Sequence, residues 1–590
     1  MRRQCSVLRP HPATPRLTWG QHPPDYTAQP VGLPYDLRLG VTGHRTVMNP
    51  QAMSAAVERL LDQIGTTLQA HGAPIACTVI SPLAQGADRL VARAAVDRLR
   101  ARLEVITPFP LDDYATDFAA PADRAEFDAL LGQASVVHEL PGVTVAGCPT
   151  MPEDERRDAA YHRVGERVVD ASEILIAIWN GRRAAGLGGT ADIVDYALRH
   201  ERIVLWIHAE RPQAPAQVIR RVTYREGADA EAIVETDAFP TTAKALSVGY
   251  HQQASYFSDR SVSELHRRAA AVSGLLVDAA DRAGVSRDAL SGITQWLVPE
   301  FVRADALALR YQRRHVWIVN GILRLAAAAV TVAIAQVLFF PRQLWMILFE
   351  VAAMVAVFGL WWGSRRGAWH EKWLHDRYLA EHLRSAMLTA LVGSSHRDRD
   401  EGTLTFYGGP KQWLSQICHT FAEGAQRRMP PVPDEPLRRL LIDGWLREQQ
   451  AFHLRNASRK AHRAHRRHQL GYGLFGATLL MALLHLFGVG HGDADRLPIF
   501  EPGQWITFFA LVLPVWASAV HAITAQLELE RVAERSRRMA SALAGLAQRA
   551  ARALTREELA DAAHDASMLM LRETREWWVL LSFQDSRLHV

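Results

Sequence analysis

The sequence predicts two kinds of structure in one chain: an N-terminal α/β domain with a parallel sheet, followed by an all-α membrane region. Up to about residue 208, short apolar runs alternate with helical patterns; after residue 315 there are four long apolar segments, and none lies before it. The length of 590 residues leaves room for roughly four domains. With 48% hydrophobic and 22% charged residues, the composition excludes a mainly disordered or collagen-like chain.

The α/β part begins with a short strand, Leu37 to Val41, and a helix that starts at Pro50 with Asn49 as its cap. Because the later strands also alternate with helices of 10–15 residues, we expect a parallel sheet with helices on both faces. The further predicted strands are 75–80, 103–106, 174–179 and, as the last, 203–207; the further helices are about 87–100, 161–171 and 190–198.

Three loops follow strands of this sheet and therefore lie at its carboxyl edge, where such sheets bind ligands. Glycines and helix N-termini suit an anion, Arg45 can contact a phosphate with two hydrogen bonds, and Asp88 can accept from a ribose hydroxyl or a base. The sequence thus predicts a nucleotide-like ligand, with no metal site and no required cofactor. The candidate ligand-binding residues are Gly43, His44, Arg45, Ser81, Gly86, Ala87, Asp88, Gly188, Gly189 and Thr190.

Four segments carry a family resemblance. They are GVTGHR (Gly40–Arg45), SPLAQGADRLVA (Ser81–Ala92), ITPFPLDDY (Ile106–Tyr114) and WNG…GLGGTADIV (Trp179–Val194). Together they resemble the SLOG domain, a Rossmann-like superfamily that includes the LOG phosphoribohydrolases and DprA-type proteins. The resemblance covers under a third of the chain. It implies binding of a nucleotide or an ADP-ribose-like molecule.

Several residues of the LOG catalytic motif have no counterpart in this sequence. LOG enzymes use a PGGxGTxxE motif, and aligning Gly189-Thr190 with its GT places Ile193 at the glutamate position. The first proline becomes Ala185 and the second glycine becomes Leu187. Sensing is therefore expected rather than turnover, and Asp192 or Asp88 are the candidate catalytic residues if the protein is an enzyme.

Four apolar segments are long enough to cross a hydrocarbon core of roughly 30 Å. Basic residues flank the two ends of each hairpin, while the connecting loops are short and the second is acidic, so the positive-inside rule places both hairpin ends in the cytoplasm. A buried helical core is the alternative interpretation. The predicted spans are 316–340, 344–362, 470–489 and 505–524.

Ionisable residues inside these spans are functional candidates by default. They are Arg324, Glu350, His485 and His521, and an Arg324–Glu350 pair within the first hairpin is one expectation. Alternatively, these side chains lie near the span ends, where they extend to the membrane surface or pair with other residues. In the HRAHRRH segment, His462, His465 and His468 indicate a basic face at the lipid headgroups rather than a metal site.

The two hairpins look like an internal repeat, since each has a basic helix entering, two spans and a long charged helix leaving. This layout resembles the SLATT family, the SMODS- and SLOG-associating two-transmembrane effector domains. The resemblance rests on architecture and on the accompanying SLOG-like domain. It implies a pore-forming or membrane-disrupting effector in bacterial conflict or antiphage systems.

The domain organisation that follows has five parts: a flexible leader (1–30), a nucleotide-binding domain (31–215), a helical connector (216–300) and two two-transmembrane units (301–425 and 426–590). The leader carries no apolar stretch typical of a signal peptide. The expected location is a bacterial inner membrane, with the N-terminal domain and the C-terminus in the cytoplasm.

Residue usage excludes several functions. The four cysteines are scattered, so neither a disulfide framework nor a zinc site is indicated. No lysine precedes Lys244, which excludes a Walker-type ATPase in the first 243 residues. The net charge of +5 gathers at the ends of the spans, which favours lipid contact over nucleic acid.

Three functions remain open. The first is an effector whose cytosolic domain senses a nucleotide-derived ligand and gates the membrane helices. A homo-oligomer is expected in this case, because one chain has only four spans. The second is a membrane-anchored hydrolase of a nucleotide or NAD-like glycosidic bond. The third is a transporter or membrane scaffold.

Overall fold

The computed structural model describes most of the chain. The described residues are 33–69, 74–118, 120–141, 152–184, 186, 188–224, 232–393, 412–489, 502–526 and 528–584. The predicted leader, Cys5, Cys148, Ala185 and Leu187 lie outside them. The chain divides into two compact units: an α/β unit (residues 1–259 and 403–419) and a helical unit (260–402 and 420–590).

The α/β unit contains an eight-stranded sheet with the order β4-β3-β2-β1-β5-β6-β7-β8. The first six strands are parallel, and β7 and β8 add an antiparallel end. The strands are β1 (Tyr35–Gly43), β2 (Ile75–Ser81), β3 (Arg102–Thr107), β4 (Ala134–Glu139), β5 (Ile174–Trp179), β6 (Ile203–His208), β7 (Gln217–Thr223) and β8 (Ile233–Ala238).

Helices connect these strands. Along β5 every side chain is buried, and along β1 nearly all are, as expected for a parallel sheet covered on both faces. Asn49 caps α1 as predicted, because its side-chain oxygen accepts from the amide of Ala52 at 3.1 Å. The helices are α1 (Pro50–Gln69), α2 (Ala87–Leu99), α3 (Leu111–Tyr114), α4 (Pro121–Leu131), α5 (Glu153–Ala171), α6 (Thr190–Arg199), α7 (Ala243–Leu246) and α8 (Val248–Ser258).

The sheet is larger than the sequence predicted, since β4, β7 and β8 were not expected. Residues 203–207 belong to the sixth strand, not the last, and the expected helical connector begins with the β7–β8 hairpin. These strands lie towards the two ends of the sheet and carry charged or half-exposed side chains, so they lack the apolar runs of buried strands.

The helical unit contains two copies of one arrangement. A one-turn π-helix leads into a very long helix, a second span follows, and an exit helix starts after a residue in the left-handed conformation. In the first copy the π-helix is Ile293–Leu297, and the helices are α10 (Val298–Phe339), α11 (Ile347–Gly367) and α12 (Trp369–Val392). In the second it is Leu440–Leu446, and the helices are α15 (Arg447–Leu486), α16 (Pro502–Gln526) and α17 (Leu529–Arg552).

Corresponding residues mark the two copies. Trp296 and Trp445 lie in the two π-helices, and Ala368 and Glu528 are the left-handed residues before the two exit helices. The predicted repeat is thus present in the backbone as well as in the sequence. The remaining helices are α9 (Leu265–Ala283), α13 (Gln412–Gln426, which the boundary between the units divides), α14 (Asp434–Arg439) and α18 (Arg556–Gln584).

In the part of the chain that the structure describes, four helices are long and apolar enough to cross a membrane, at the four predicted positions. Their apolar side chains are hardly covered by protein: Leu348 is 68% exposed, Phe358 63% and Phe475 68%. A buried helical core, the alternative interpretation, would have covered them. A lipid bilayer accounts for such an exposed apolar surface.

The ionisable groups of the spans do not form the predicted Arg324–Glu350 pair; neither residue has an ion-pair partner in the described chain. Arg324 lies fifteen residues before the end of α10, about 22 Å from the turn, whereas Glu350 is in the first turn of α11. The two residues are therefore at different depths. His485 approaches the hydroxyl of Thr507 at 3.5 Å, and His521 is exposed on α16.

Candidate functional site

The candidate site lies at the carboxyl edge of the sheet, where the strand order reverses. β1 pairs with β2 on one side and with β5 on the other. The loops that follow β1 and β5 therefore leave two neighbouring strands in opposite directions. In open α/β sheets such a switch point is where ligands bind. The ten predicted ligand-binding residues lie at the ends of β1 and β2, in the loops after β1, β2 and β5, and in the first turns of α2 and α6, at one edge of the sheet.

The loops after β1 and β2 are joined through their backbones. The amide of Ala87 donates to the carbonyl of His44 at 3.1 Å. Gly86 has φ +86°, and a Cβ at this position would lie 2.2 Å from the carbonyl oxygen of Arg45. Glycine is therefore required at residue 86 both by its conformation and by the closeness of the neighbouring loop.

His44 links the same loop to the end of β5. Its Nε2 accepts a hydrogen bond from the backbone amide of Asn180 at 3.1 Å, so the ring proton of the neutral side chain is on Nδ1. Burial lowers the pKa of His44, which favours the neutral form. The Nδ1–H group is thus available as a donor at the switch point.

Arg45 is exposed, and its guanidinium lies 4.8 Å from the ring centroid of Tyr161 on α5. Tyr161 in turn donates to the carboxylate of Asp117, which also pairs with Arg157. A charged guanidinium held by a ring keeps its N–H groups free for a phosphate. Arg45 is thus accessible at the end of β1, and its contact with a phosphate stays a prediction.

Asp88 occupies the first turn of α2 and is only 7% exposed. Burial raises the pKa of Asp88 to about 7, although the amide of Ala84 and the positive charges of Arg45 and Arg89 oppose the shift. A carboxyl group that exchanges a proton near neutral pH can either accept from a ribose hydroxyl or donate to a ligand oxygen.

Ser81 has a different role from the one predicted. Its hydroxyl accepts from the amide of Leu83 at 3.0 Å and lies 3.4 Å from the carbonyl oxygen of Asp88. It is fully buried, so it shapes the loop between β2 and α2. Leu83 has φ +56°, a conformation that these contacts help to hold.

The glycine loop before α6 lies against the backbone of α5. Gly188 has φ +84°, and a Cβ there would be 2.7 Å from the amide nitrogen of His162. The amide of Gly188 donates to the carboxylate of Asp192 at 3.1 Å. Gly189 is the N-cap of α6, and Thr190 begins it, so the first-turn amides of this helix point toward the edge.

These contacts bear on catalysis. Asp192 is engaged in holding the glycine loop, and Ile193, at the position of the LOG glutamate, is 2% exposed in the core. A Cβ on Gly165 of α5 would lie 2.4 Å from Cδ1 of Ile193. The side chain at this position is thus part of the packing between α5 and α6. Asp88, whose pKa burial raises to about 7, can take part in acid–base chemistry near neutral pH.

Sequence reasoning missed two side chains next to Asp88, Arg89 and Tyr114. Both are 1% exposed, and in the described part of the chain Nη2 of Arg89 and the hydroxyl of Tyr114 have no hydrogen-bond partner. Arg89 is otherwise held by Leu83, Asp123 and Glu126. Unpaired buried donors are rare, and a ligand or water reaching this edge would satisfy them.

Neither the known family models nor the curated proteins match this chain. The functional argument therefore depends on the geometry of the edge and on the apolar helices.

Proposed function

We propose that the protein is a membrane-bound effector whose α/β unit binds a nucleotide- or ADP-ribose-derived ligand and controls the helical membrane unit. The observation that carries the proposal is the edge at the β1/β5 switch point. There, Arg45, the donor Nδ1–H of His44 and the N-termini of α2 and α6 offer positive charge and N–H groups. Such a set suits the phosphates of a nucleotide.

The exposed apolar helices support the membrane half of the proposal. By the SLATT resemblance, the helical unit forms a pore or disrupts the bilayer, as a homo-oligomer, in bacterial conflict or antiphage signalling. The ligand must bind one state more tightly than the other. A shift from 1:99 to 99:1 requires about 5.5 kcal/mol of differential binding energy.

Binding is tested with the full-length protein in detergent, by thermal shift against ADP-ribose, NAD and nucleoside di- and triphosphates. At least one of them should raise the melting temperature, and Arg45→Ala should abolish that increase. Arg220→Ala is the matched control, because Arg220 is an exposed arginine of the same unit that pairs with Asp237. If no compound stabilises the protein, or if both variants respond alike, the proposed site is wrong.

Gating is tested by dye release from liposomes that contain the full-length protein. The stabilising compound should cause release with the wild-type protein and not with Arg45→Ala. Release without any compound, equal in both, would contradict control by the α/β unit.

The raised pKa of Asp88 favours a second candidate, a membrane-anchored hydrolase of a nucleotide or NAD-like glycosidic bond with Asp88 as its acid or base. Product formation by the full-length protein, lost in Asp88→Asn and kept in Asp192→Asn, would favour this candidate over sensing.

A further inference from the structure

A row of cations precedes the third candidate span on α15. Lys460, Arg463 and Arg467 are spaced three and four residues apart, so they share one face of the helix. We call these three residues the basic stripe. The predicted span begins at residue 470, three residues or about 4.5 Å further along the helix axis.

The basic stripe has no acidic counterpart. None of its three residues forms an ion pair with an acidic residue in the described chain. The acidic residues at the start of α17 are already paired: Glu528 with Arg531, Glu530 with His468, and Glu534 with Arg537 and Arg538. Within the described part of the chain, the positive charges of neighbouring arginines act on both Lys460 and Arg467.

A fourth cation, on the first hairpin, acts electrostatically on the stripe. The positive charge of Arg324 on α10 acts on Arg467, together with that of Arg463. Arg467 is half-buried, and its Nη1 is a buried atom without a hydrogen-bond partner among the residues that the structure describes. Arg324 on α10 and Arg467 on α15 thus repel each other, and neither forms an ion pair with an acidic residue in the described part of the chain.

Such an arrangement is unfavourable without an anion. Like charges four residues apart repel one another along a helix, and a buried N–H group of an arginine is costly when it lacks an acceptor. A phosphate supplies several acceptor oxygens and negative charge, and arginine binds it with two hydrogen bonds. We propose that the basic stripe and Arg324 bind one phosphate-bearing anion, the headgroup of an anionic lipid.

The surroundings favour a lipid over a soluble phosphate. Beyond the stripe, α15 exposes large apolar side chains, among them Leu470 and Tyr472, which is 74% exposed. A headgroup at the stripe would place its acyl chains along this surface. Basic pockets between membrane helices near the cytoplasmic surface bind anionic headgroups in this way. The site is separate from the proposed nucleotide site and does not depend on it.

The test uses the full-length protein in a neutral detergent, titrated with short-chain phosphatidylglycerol, short-chain phosphatidylcholine or inorganic phosphate. Phosphatidylglycerol should raise the melting temperature. In the double variant Arg463→Gln/Arg467→Gln, the half-saturating concentration should rise about tenfold or more, because two charge-assisted contacts are lost. Stabilisation of the wild type by inorganic phosphate alone would support the anion site but give it a soluble ligand.

The matched control is Arg537→Gln/Arg538→Gln, which removes the same charge from residues that pair with Glu534. It should respond to phosphatidylglycerol as the wild type does. Without lipid, the stripe variant should melt at or above the wild-type temperature, since it relieves repulsion, which separates loss of binding from failure to fold. Equal responses of the two double variants, or equal stabilisation by both lipids, would overturn the proposal.

Discussion

Each unit has a glycine with positive φ, but the two glycines differ in ψ, −118° at Gly86 and 27° at Gly284, and in their surroundings. Gly86 in the α/β unit and Gly284 in the helical unit both have positive φ, +86° and +78°. A Cβ on Gly86 would meet the backbone of the neighbouring loop, whereas a Cβ on Gly284 would have nothing within 4 Å. The loops at the sheet edge are thus locked to one another, while the end of α9 only needs a left-handed residue.

The units also differ in the ionisation of their buried carboxyl groups. At the sheet edge, Asp88 is buried with a carboxyl group that is not fully ionised at neutral pH. In the helical unit, Glu381 is buried between Arg377 and Arg384 and remains ionised. The α/β unit therefore keeps groups ready for a ligand at some cost in stability, whereas the buried charge of α12 is satisfied within the protein.

The largest effect is expected from Gly86→Ala. The substitution combines a positive-φ conformation that residues with a side chain rarely adopt with a backbone clash, and it should cost on the order of 5 kcal/mol of unfolding free energy. Gly284→Ala should cost only about 1 kcal/mol, for the conformation alone. Thermal unfolding, with hydrogen exchange to assign the loss to one unit, measures both. Similar losses would show that the two loops are equally free to adjust.

Asp88→Asn should stabilise the α/β unit in a pH-dependent way. Because the pKa of Asp88 is raised to about 7, the folded state holds a proton that the unfolded state loses near pH 3.8. The wild type therefore loses stability as pH rises from about 4 to about 7, by about 1.4 kcal/mol per unit and about 4 kcal/mol in all.

The Asp88→Asn variant does not lose stability in this way. The difference in unfolding free energy between the variant and the wild type should therefore grow across that range and level off above about pH 7. Melting temperatures of both proteins at pH 5, 6, 7 and 8 measure it. An advantage that does not change with pH would mean that Asp88 ionises normally.

Glu381→Gln tests the opposite case in the helical unit. Burial disfavours the ionised form of Glu381, but Arg384 and Arg377 outweigh it and lower its pKa below 4.5. Its contribution is therefore present above about pH 4.5 and is lost as pH falls through the lowered pKa. The variant should lose about 2–3 kcal/mol at pH 7, since two guanidinium groups remain beside a neutral side chain.

The loss should shrink as pH falls below 4.5, because the unfolded wild type then takes up a proton that the folded wild type takes up only at the lowered pKa. Glu435→Gln is the control: Glu435 is exposed and pairs with Arg438, so its removal should cost less than about 1 kcal/mol at any pH. Equal losses in the two variants would contradict a special role for burial at Glu381.

The sequence was sufficient to predict the parts of the fold that have strong periodic patterns. β5 was predicted residue for residue, because Ile174–Trp179 is a fully buried apolar run between clear boundaries. The four spans and the repeat were also predicted. β4, β7 and β8 were missed because strands near the ends of a sheet alternate weakly and carry charges such as Arg220 and Asp237.

At the site, motifs predicted which loops meet but not what each side chain does. Ser81 was predicted to bind the ligand and Asp192 was a candidate catalytic residue, yet the side chains of both accept hydrogen bonds from nearby backbone amides. Arg89 and Tyr114 have no motif of their own, although both lie inside the segments that carry the family resemblance. Only the three-dimensional contacts show which polar atoms are satisfied and which are left over.

The smallest effects should come from exposed ion pairs, and they should be the same in both units. Arg124 and Asp128 of α4, and Arg427 with Glu423 at the end of α13, are pairs four residues apart with N–O distances of 3.0 Å. Both arginines are about half exposed or more, so water and salt screen the attraction. Arg124→Ala and Arg427→Ala should each cost about 0.5 kcal/mol or less, and 1 M salt should remove most of the difference from wild type. A loss above about 1 kcal/mol in one unit only would mean that the units differ in their surfaces as well as in their interiors. The contrast between Gly86 and Glu381 would then no longer be specific to buried positions.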